Sequence, residues 1–442
     1  MENKKSRIPK LGRWLIALFV AEDKQDLIIG DFEEYLEGAQ LERKSILWSF
    51  WVQFFSSFPA FVQQAVHTRL MLFQHAIRIT LRTMRMHHSH FLLNVTGLSL
   101  GIACFTIIML YVEQEKSYDK FHAKSQRIYR INDVRKSDGI GEESSSAPIP
   151  LANAMLLDYE GQIESAVRFF NFQAPSLSVA YEPNAGFRRQ FNESRVFFVD
   201  STLFEIFDFQ LINGNKKTVL DGPNKVLITQ DMAEKYFENV DPIGQTLVLE
   251  GKQDLMVSGV LRNSPANSHI QFDFLVSFAT LNNPRMLSDR LRTNWIWNPC
   301  WTYVLLNQSV QPETLEAQFP DFVEKYFPES RKNRVKLYLQ PLEDIHLHSH
   351  LDYEMRANGD IIYVYIFTSV AIFILIISYI NFINLTTARS LTRHKEIGLR
   401  KVLGGSKVQL IWQFLSESIV TNLIAFVISI VLVFALVEML GS

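Results

Sequence analysis

A basic, glycine-punctuated segment, FINLTTARSLTRHKEIGLRKVLGGSKVQLIWQFLSES at residues 382–418, lies between two long apolar runs. The run before it, residues 361–380, carries no charge and has about the ~20 residues that cross the hydrocarbon core of a bilayer. A second run follows at residues 419–440. Two spans joined by a charged elbow leave few alternatives to a membrane protein. A third run, FLLNVTGLSLGIACFTIIMLYV at residues 91–112, carries Gly97 and Gly101 four apart on one helix face, a spacing that permits close helix packing.

Flanking charge orients these spans. Arg69, Arg78, Arg82 and Arg85 precede the first without an acidic residue among them, and the elbow carries Arg389, Arg393, Lys395, Arg400, Lys401 and Lys407. The positive-inside rule places both flanks in the cytoplasm and residues 113–359 on the other side, as one domain large enough for a substantial core. Residues 46–62 are apolar and aromatic but broken by Ser49, Gln53, Ser56, Ser57 and Pro59, so they read as interfacial. The acidic stretch with Asp31, Glu33, Glu34 and Glu37 reads as a solvated helix face.

The remaining composition excludes more than it assigns. With 48% hydrophobic residues and a net charge of -2, there is no nucleic-acid footprint. Cys104 lies in an apolar run and Cys300 in the middle region, so no intrachain disulfide is expected. The apolar stretch at residues 14–20 is too short for a signal-peptide core. The middle region reads as α+β, with strands near residues 127–134 and 246–249. Thr229 is placed to cap a helix whose Met232, Ala233, Tyr236 and Phe237 share a face, and Asp241-Pro242-Ile243-Gly244 then turns into a hairpin closed at Gly251.

Candidate chemistry is sparse. His346, His348 and His350 would share one face of a strand, yet no cysteine or acidic cluster lies near them in sequence, so no metal is expected there. His87, His88 and His90 read as interfacial. The segment GLRKVLGGSK at residues 398–407 lacks the glycine, lysine, serine or threonine order of a phosphate loop and follows no strand, so no cofactor and no ATP hydrolysis are expected in this chain. No nucleophile elbow or paired-carboxylate pattern supports an enzyme. In the elbow, Arg389, Arg393 and Glu396 or Arg400 fall on one helix face, with Ile397, Leu399 and Val402 as apolar anchors. Gly404 and Gly405 would stop that helix, and Ser406 with Gln409 would cap the next.

Several segments, in order, resemble the MacB/FtsX-like ABC transporter permease family. They are NVTGLSLGIACF from Asn94, EKSYDKFHAKSQRIYRIN from Glu115, DMAEKYFENVDPIGQTLVLEG from Asp231, SGVLRNSPANSHIQFDF from Ser258, PLEDIHLHSH from Pro341, YINFINLTTARS from Tyr379, RHKEIGLRKVLGG from Arg393 and QFLSES from Gln413. IIGDFEEYLEGAQLERKS from Ile28 resembles the cytoplasmic prefix of some members. The resemblance implies a bacterial inner-membrane protein; with the three apolar runs, the expected fold is an α-helical transmembrane bundle of three spans, a large α+β extracytoplasmic domain and a small helical cytoplasmic N-terminal segment. The expected division is 1–66 prefix-like, 67–90 basic lead-in, 91–112 first span, 113–359 periplasmic core domain, 361–382 second span, 383–418 coupling elbow and 419–440 third span.

It also implies that Arg389, Arg393, Glu396, Gly398, Arg400, Lys401 and Gly404 meet a MacB-like cytoplasmic ATPase subunit. Further implied partners are a second copy or second permease half, periplasmic or outer-membrane accessory proteins, and membrane lipids. The chain would then couple ATP hydrolysis by that subunit to export or mechanical transmission; the alternative is a membrane-anchored sensor with an extracytoplasmic ligand-binding domain. Members of the family have at least four spans, so a chain with three is expected to be a truncated product, a fragment, or a half completed by assembly.

Overall fold

The computed structural model of the chain describes residues 8–19, 22–41, 45, 47–60, 63, 88–135, 142–184, 187–392, 398–399, 402 and 407–441. The chain divides into two compact units, Ile108–Val370 and the pair of stretches Met1–Ile107 and Ala371–Ser442.

Three helices among the described residues are long and apolar enough to cross a membrane, with spans at His88–Lys116, Ile361–Ala388 and Phe414–Met439. The helices that carry the last two run further, over Ile361–Thr392 and Lys407–Gly441. Hydroxyls on these helices bond within their own helix: Thr96, Thr106 and Thr421 donate to the carbonyls of Leu92, Ile102 and Glu417. Val95, Leu98, Phe382 and Ala425 form a small buried cluster that joins all three helices.

At the N-terminus, helices Lys10–Phe19, Glu22–Leu41 and 47–60 bury Ile16, Phe32, Leu36, Phe50 and Phe54 together. Within the stretch read as interfacial, Phe50 and Phe54 thus face a protein core, while Leu47, Trp48 and Phe55 are exposed.

The Ile108–Val370 unit is built on one mixed sheet. From edge to edge its main path runs Val335–Pro341, Ile128–Arg135, Cys300–Leu306, Ile163–Phe170, Val196–Val199, Phe274–Ser277, Lys225–Thr229, Gln253–Leu261, Thr246–Leu249, Leu177–Asn184 and Phe187–Glu193. Two neighbouring pairs are parallel, Val196–Val199 with Phe274–Ser277 and Lys225–Thr229 with Gln253–Leu261; the others on this path are antiparallel.

The central strands are apolar throughout because both faces are covered. Alternation by two sends Phe170, Phe198, Val226, Ile228, Phe274 and Val276 to one core. It sends Phe169, Phe197, Leu227 and Leu275 to the other. Each fully buried phenylalanine contributes roughly 1.5–3 kcal/mol, and a one-residue slip would exchange the two sets of side chains between the cores and disrupt the packing of both.

The helix and hairpin read from the sequence are present as Gln230–Phe237, Thr246–Leu249 and Gln253–Leu261, with Ile243 N donating to Asp241 Oδ1 at the turn. The expected cap is corrected. The Thr229 hydroxyl is buried without a partner among the described residues, and it is Asn263 that accepts the Asp231 amide at 3.2 Å and returns a bond to the Asp231 carboxylate at 2.6 Å.

Candidate functional site

The outer ends of the first two spans meet within the Ile108–Val370 unit. Val112 and Val364, from the two helices, pack on Leu347, and Tyr111 meets Phe367 edge-on. Beside this apolar contact the Glu115 carboxylate lies 2.8 Å from His346 Nε2, and the Tyr118 ring stacks on the His346 ring. Gly359, just before the second span, closes the cluster. A Cβ there would stand 2.9 Å from Glu115 Oε2 and 3.0 Å from His346 Nε2, so any side chain at this position would push on the Glu115–His346 pair.

The histidine reading is corrected here. Residues Ile345–His348 form a helical turn, so His346 points inward while His348 and His350 are exposed, and among the described residues no group of three or more metal-ligand side chains exists. A turn of helix rotates alternate residues to opposite sides, whereas a strand would have aligned them.

Two buried polar networks brace this junction. Asp119 accepts from Ser268 Oγ at 2.9 Å, lies 2.7 Å from His269 Nδ1, and His269 Nε2 lies 2.7 Å from the Tyr303 hydroxyl. Burial works to raise the Asp119 pKa, but His269 and Ser268 hold it below the ordinary carboxylate value. Burial pushes the Tyr303 hydroxyl up, so it stays protonated. The row resembles an acid–base relay, but all three side chains are almost fully buried. No substrate reaches them, and their effect is to tie the exit of the first span to the sheet.

The second network centres on Arg130, whose side chain is 0% exposed. Its guanidinium donates to both Glu354 oxygens at 2.5 and 2.7 Å and to Gln340, Ser349 and Asn132. Burial works against the charge, and the bonds to Glu354 hold it in place. Glu354 belongs to the segment that leads into the second span, so that segment too is anchored to the sheet.

Of the residues singled out in the sequence, Arg393, Glu396, Arg400, Lys401 and Gly404 lie outside the described residues. Arg389 lies on the Ile361–Thr392 helix, and Gly398 is exposed with open space where a Cβ would be. A Cβ at Gly97 would come 3.3 Å from Asn381 Nδ2, and one at Gly101 would collide with the Ser378 side chain. Sequence reasoning assigned no role to Glu115, Asp119, Arg130, His269 or Glu354. All but Glu354 sit in the family-like segments quoted above, but nothing in those segments marks which distant partner each one meets.

The model of the MacB-like periplasmic core domain matches residues 91–322, and that of the FtsX-like permease C-terminal region matches residues 368–442. No curated protein matches the chain. Three solved structures resemble part of it. A domain of a protein described as a permease from Porphyromonas gingivalis has 22% identity over 50% of this chain and 91% of that one, with a TM-score of 0.41. The periplasmic region of MacB from Actinobacillus actinomycetemcomitans has 12% identity over 50% and 91%, with a TM-score of 0.35. The extracellular domain of the noncanonic ABC-type transporter YknZ from Gram-positive bacteria has 14% identity over 48% and 98%, with a TM-score of 0.34. The assignment rests on the two sequence models: the first spans more than half of the chain, the second covers the last membrane helix and most of the one before it, and the chain belongs to the MacB/FtsX-like ABC transporter permease family.

Proposed function

We propose that the chain is a permease subunit whose elbow, residues 383–418, is moved by a separate MacB-like cytoplasmic ATPase, and that the motion reaches the extracytoplasmic domain through the Glu115–His346 junction. The observation that carries this reading is one uninterrupted helix, Ile361–Thr392, which begins at the junction and ends in the elbow. At about 1.5 Å per residue its 32 residues make a rod of roughly 48 Å, longer than the ~30 Å hydrocarbon core. A rod transmits displacement with little loss, and its outer end is held by Val364 packed on Leu347.

The charge pattern supports an elbow in the cytoplasm and an outer domain beyond a bacterial inner membrane. Arg389, Arg393, Glu396, Gly398, Arg400, Lys401 and Gly404 are the residues assigned to ATPase contact, and the chain itself hydrolyses no ATP. A second permease half or second copy completes the assembly, and export or purely mechanical work on an envelope partner are its two outputs.

The test is affinity capture from membranes with the full chain as bait. The unaltered chain should retain an ABC-type ATPase, and the Arg393→Glu/Arg400→Glu variant should lose it without a change in membrane insertion. Retention of both the ATPase and ATP-dependent function in that variant would remove the coupling role from these residues.

A further inference from the structure

The Ile108–Val370 unit contains a half-open cleft of about 780 Å³, a volume in the range of small-molecule sites. Its floor is apolar and aromatic. Phe197 and Trp301 meet edge-on beneath it, with Met355 beside them. The indole N–H of Trp301 is already spent on the Tyr353 carbonyl at 2.7 Å, so a ligand meets the apolar part of the ring.

The charges around the cleft do not cancel. Glu354 is the one acidic residue that lines it, and its carboxylate is fully engaged by Arg130 and Ser349. Arg195 uses Nε to bond Asp273 at 2.9 Å, and among the described residues both of its terminal nitrogens lack a protein acceptor. Arg356 is exposed, has only the Ala266 carbonyl as acceptor, at 3.3 Å, and pairs with no carboxylate among the described residues. Ser264 Oγ, also in the lining, is buried without a hydrogen-bond partner among the described residues. Two guanidinium groups and a hydroxyl are thus available to an acceptor, above a floor that offers only apolar surface.

We propose that this cleft binds an amphipathic anion, an aromatic or alkyl body carrying one carboxylate or phosphate group, held between the sheet and the segment that leads into the second span. Met355 and Arg356 belong to that segment, just before the helix that begins at Ile361. A bound anion bridges it to Arg195 on the sheet side. The site stands independently of the ATPase reading: loss of binding would leave the elbow account intact, and loss of ATPase capture would leave the cleft intact.

The experiment uses the full chain in phosphatidylcholine nanodiscs and ligand-observed saturation-transfer NMR against empty nanodiscs. The probes are 2-naphthoate with its neutral counterpart 2-naphthamide, and dihexanoyl phosphatidate with dihexanoyl phosphatidylcholine. At least one anion should bind and its uncharged or zwitterionic counterpart should not; naphthoate alone identifies a free carboxylate ligand, phosphatidate alone a lipid headgroup. Arg195→Gln and Arg356→Gln should each weaken the bound anion about tenfold, the order expected for one charge-assisted bond. Ala174→Trp should fill the cleft and abolish binding. Cys300, buried in the same unit, reports by its thiol reactivity that each variant remains folded. Failure of both anions to bind, equal binding of naphthamide and naphthoate, or undiminished binding in folded Ala174→Trp protein would each overturn the proposal.

Discussion

Replacing Arg130 with methionine removes the cation at the centre of the second network and leaves the Glu354 carboxylate, whose side chain is only 11% exposed, without its partner. Breaking a buried pair from one side costs about 3–5 kcal/mol, because the remaining charge stays desolvated. Here Gln340 Oε1 also loses one of its donors. At about 2–4 °C per kcal/mol for a domain near this size, the melting midpoint of the Ile108–Val370 unit should fall by roughly 6–20 °C. The assay is thiol labelling on heating, in full-length protein with Cys104→Ala. Cys300 is fully buried and its burial raises the thiol pKa, so it reacts only when this unit opens. The Arg130→Met/Glu354→Gln double variant removes both charges and should recover at least half of the loss. A single variant within about 1 kcal/mol of the parent, or a double variant no more stable than the single, would refute the assignment of Arg130 as the tie between sheet and linker.

Three further outcomes follow from the same structure. His122 accepts the Asp208 amide at Nδ1, leaves Nε2 without a partner among the described residues, and packs against Phe121, Phe207 and Phe209. Burial lowers its pKa to about 4 against the pull of Asp119 and Asp208 and with the repulsion of His269, so its neutral form is the folded one. The associated stability, about 3 kcal/mol, is present above pH ~6.5 and is lost as pH falls towards 4; His122→Asn should flatten denaturation midpoints over that window. Gly101→Ala should destabilise the transmembrane helices by about 1–3 kcal/mol in detergent titrations followed by circular dichroism, and Ser378→Gly should restore them. His346→Ala should increase hydrogen exchange at the outer ends of the first two spans while leaving the Gln230–Phe237 helix unchanged, because only the former depend on the Glu115 contact.

The features legible in the sequence were those set by local physics. A bilayer imposes an uncharged run on its own segment, so residues 91–112 lie inside the helix His88–Lys116 and residues 419–440 within Lys407–Gly441. The Asp241-to-Gly244 turn was readable because an Asx side chain closes it locally. The junction was not readable. Glu115 and His346 are separated by 231 positions and Arg130 and Glu354 by 224, and a single sequence gives no indication of which distant charges the sheet brings together. His346 was misjudged for a related reason: alternation suggested a strand, but a 3₁₀ turn at Leu342–Asp344 feeds the helical turn that sends it inward. The helix cap was misjudged because Asn263, supplied from 32 positions away, does what Thr229 could have done locally.

The central claim is that the elbow and the outer domain lie on opposite sides of one membrane, joined by the Ile361–Thr392 rod. Cysteine-accessibility labelling in spheroplasts tests it directly, using a membrane-impermeant maleimide, a Cys104→Ala background in which the remaining Cys300 is buried, and the exposed positions Lys217→Cys and Leu399→Cys. Residue 217 should label in intact spheroplasts and residue 399 only after permeabilisation. Labelling of both from outside, or of residue 399 before residue 217, would contradict the account.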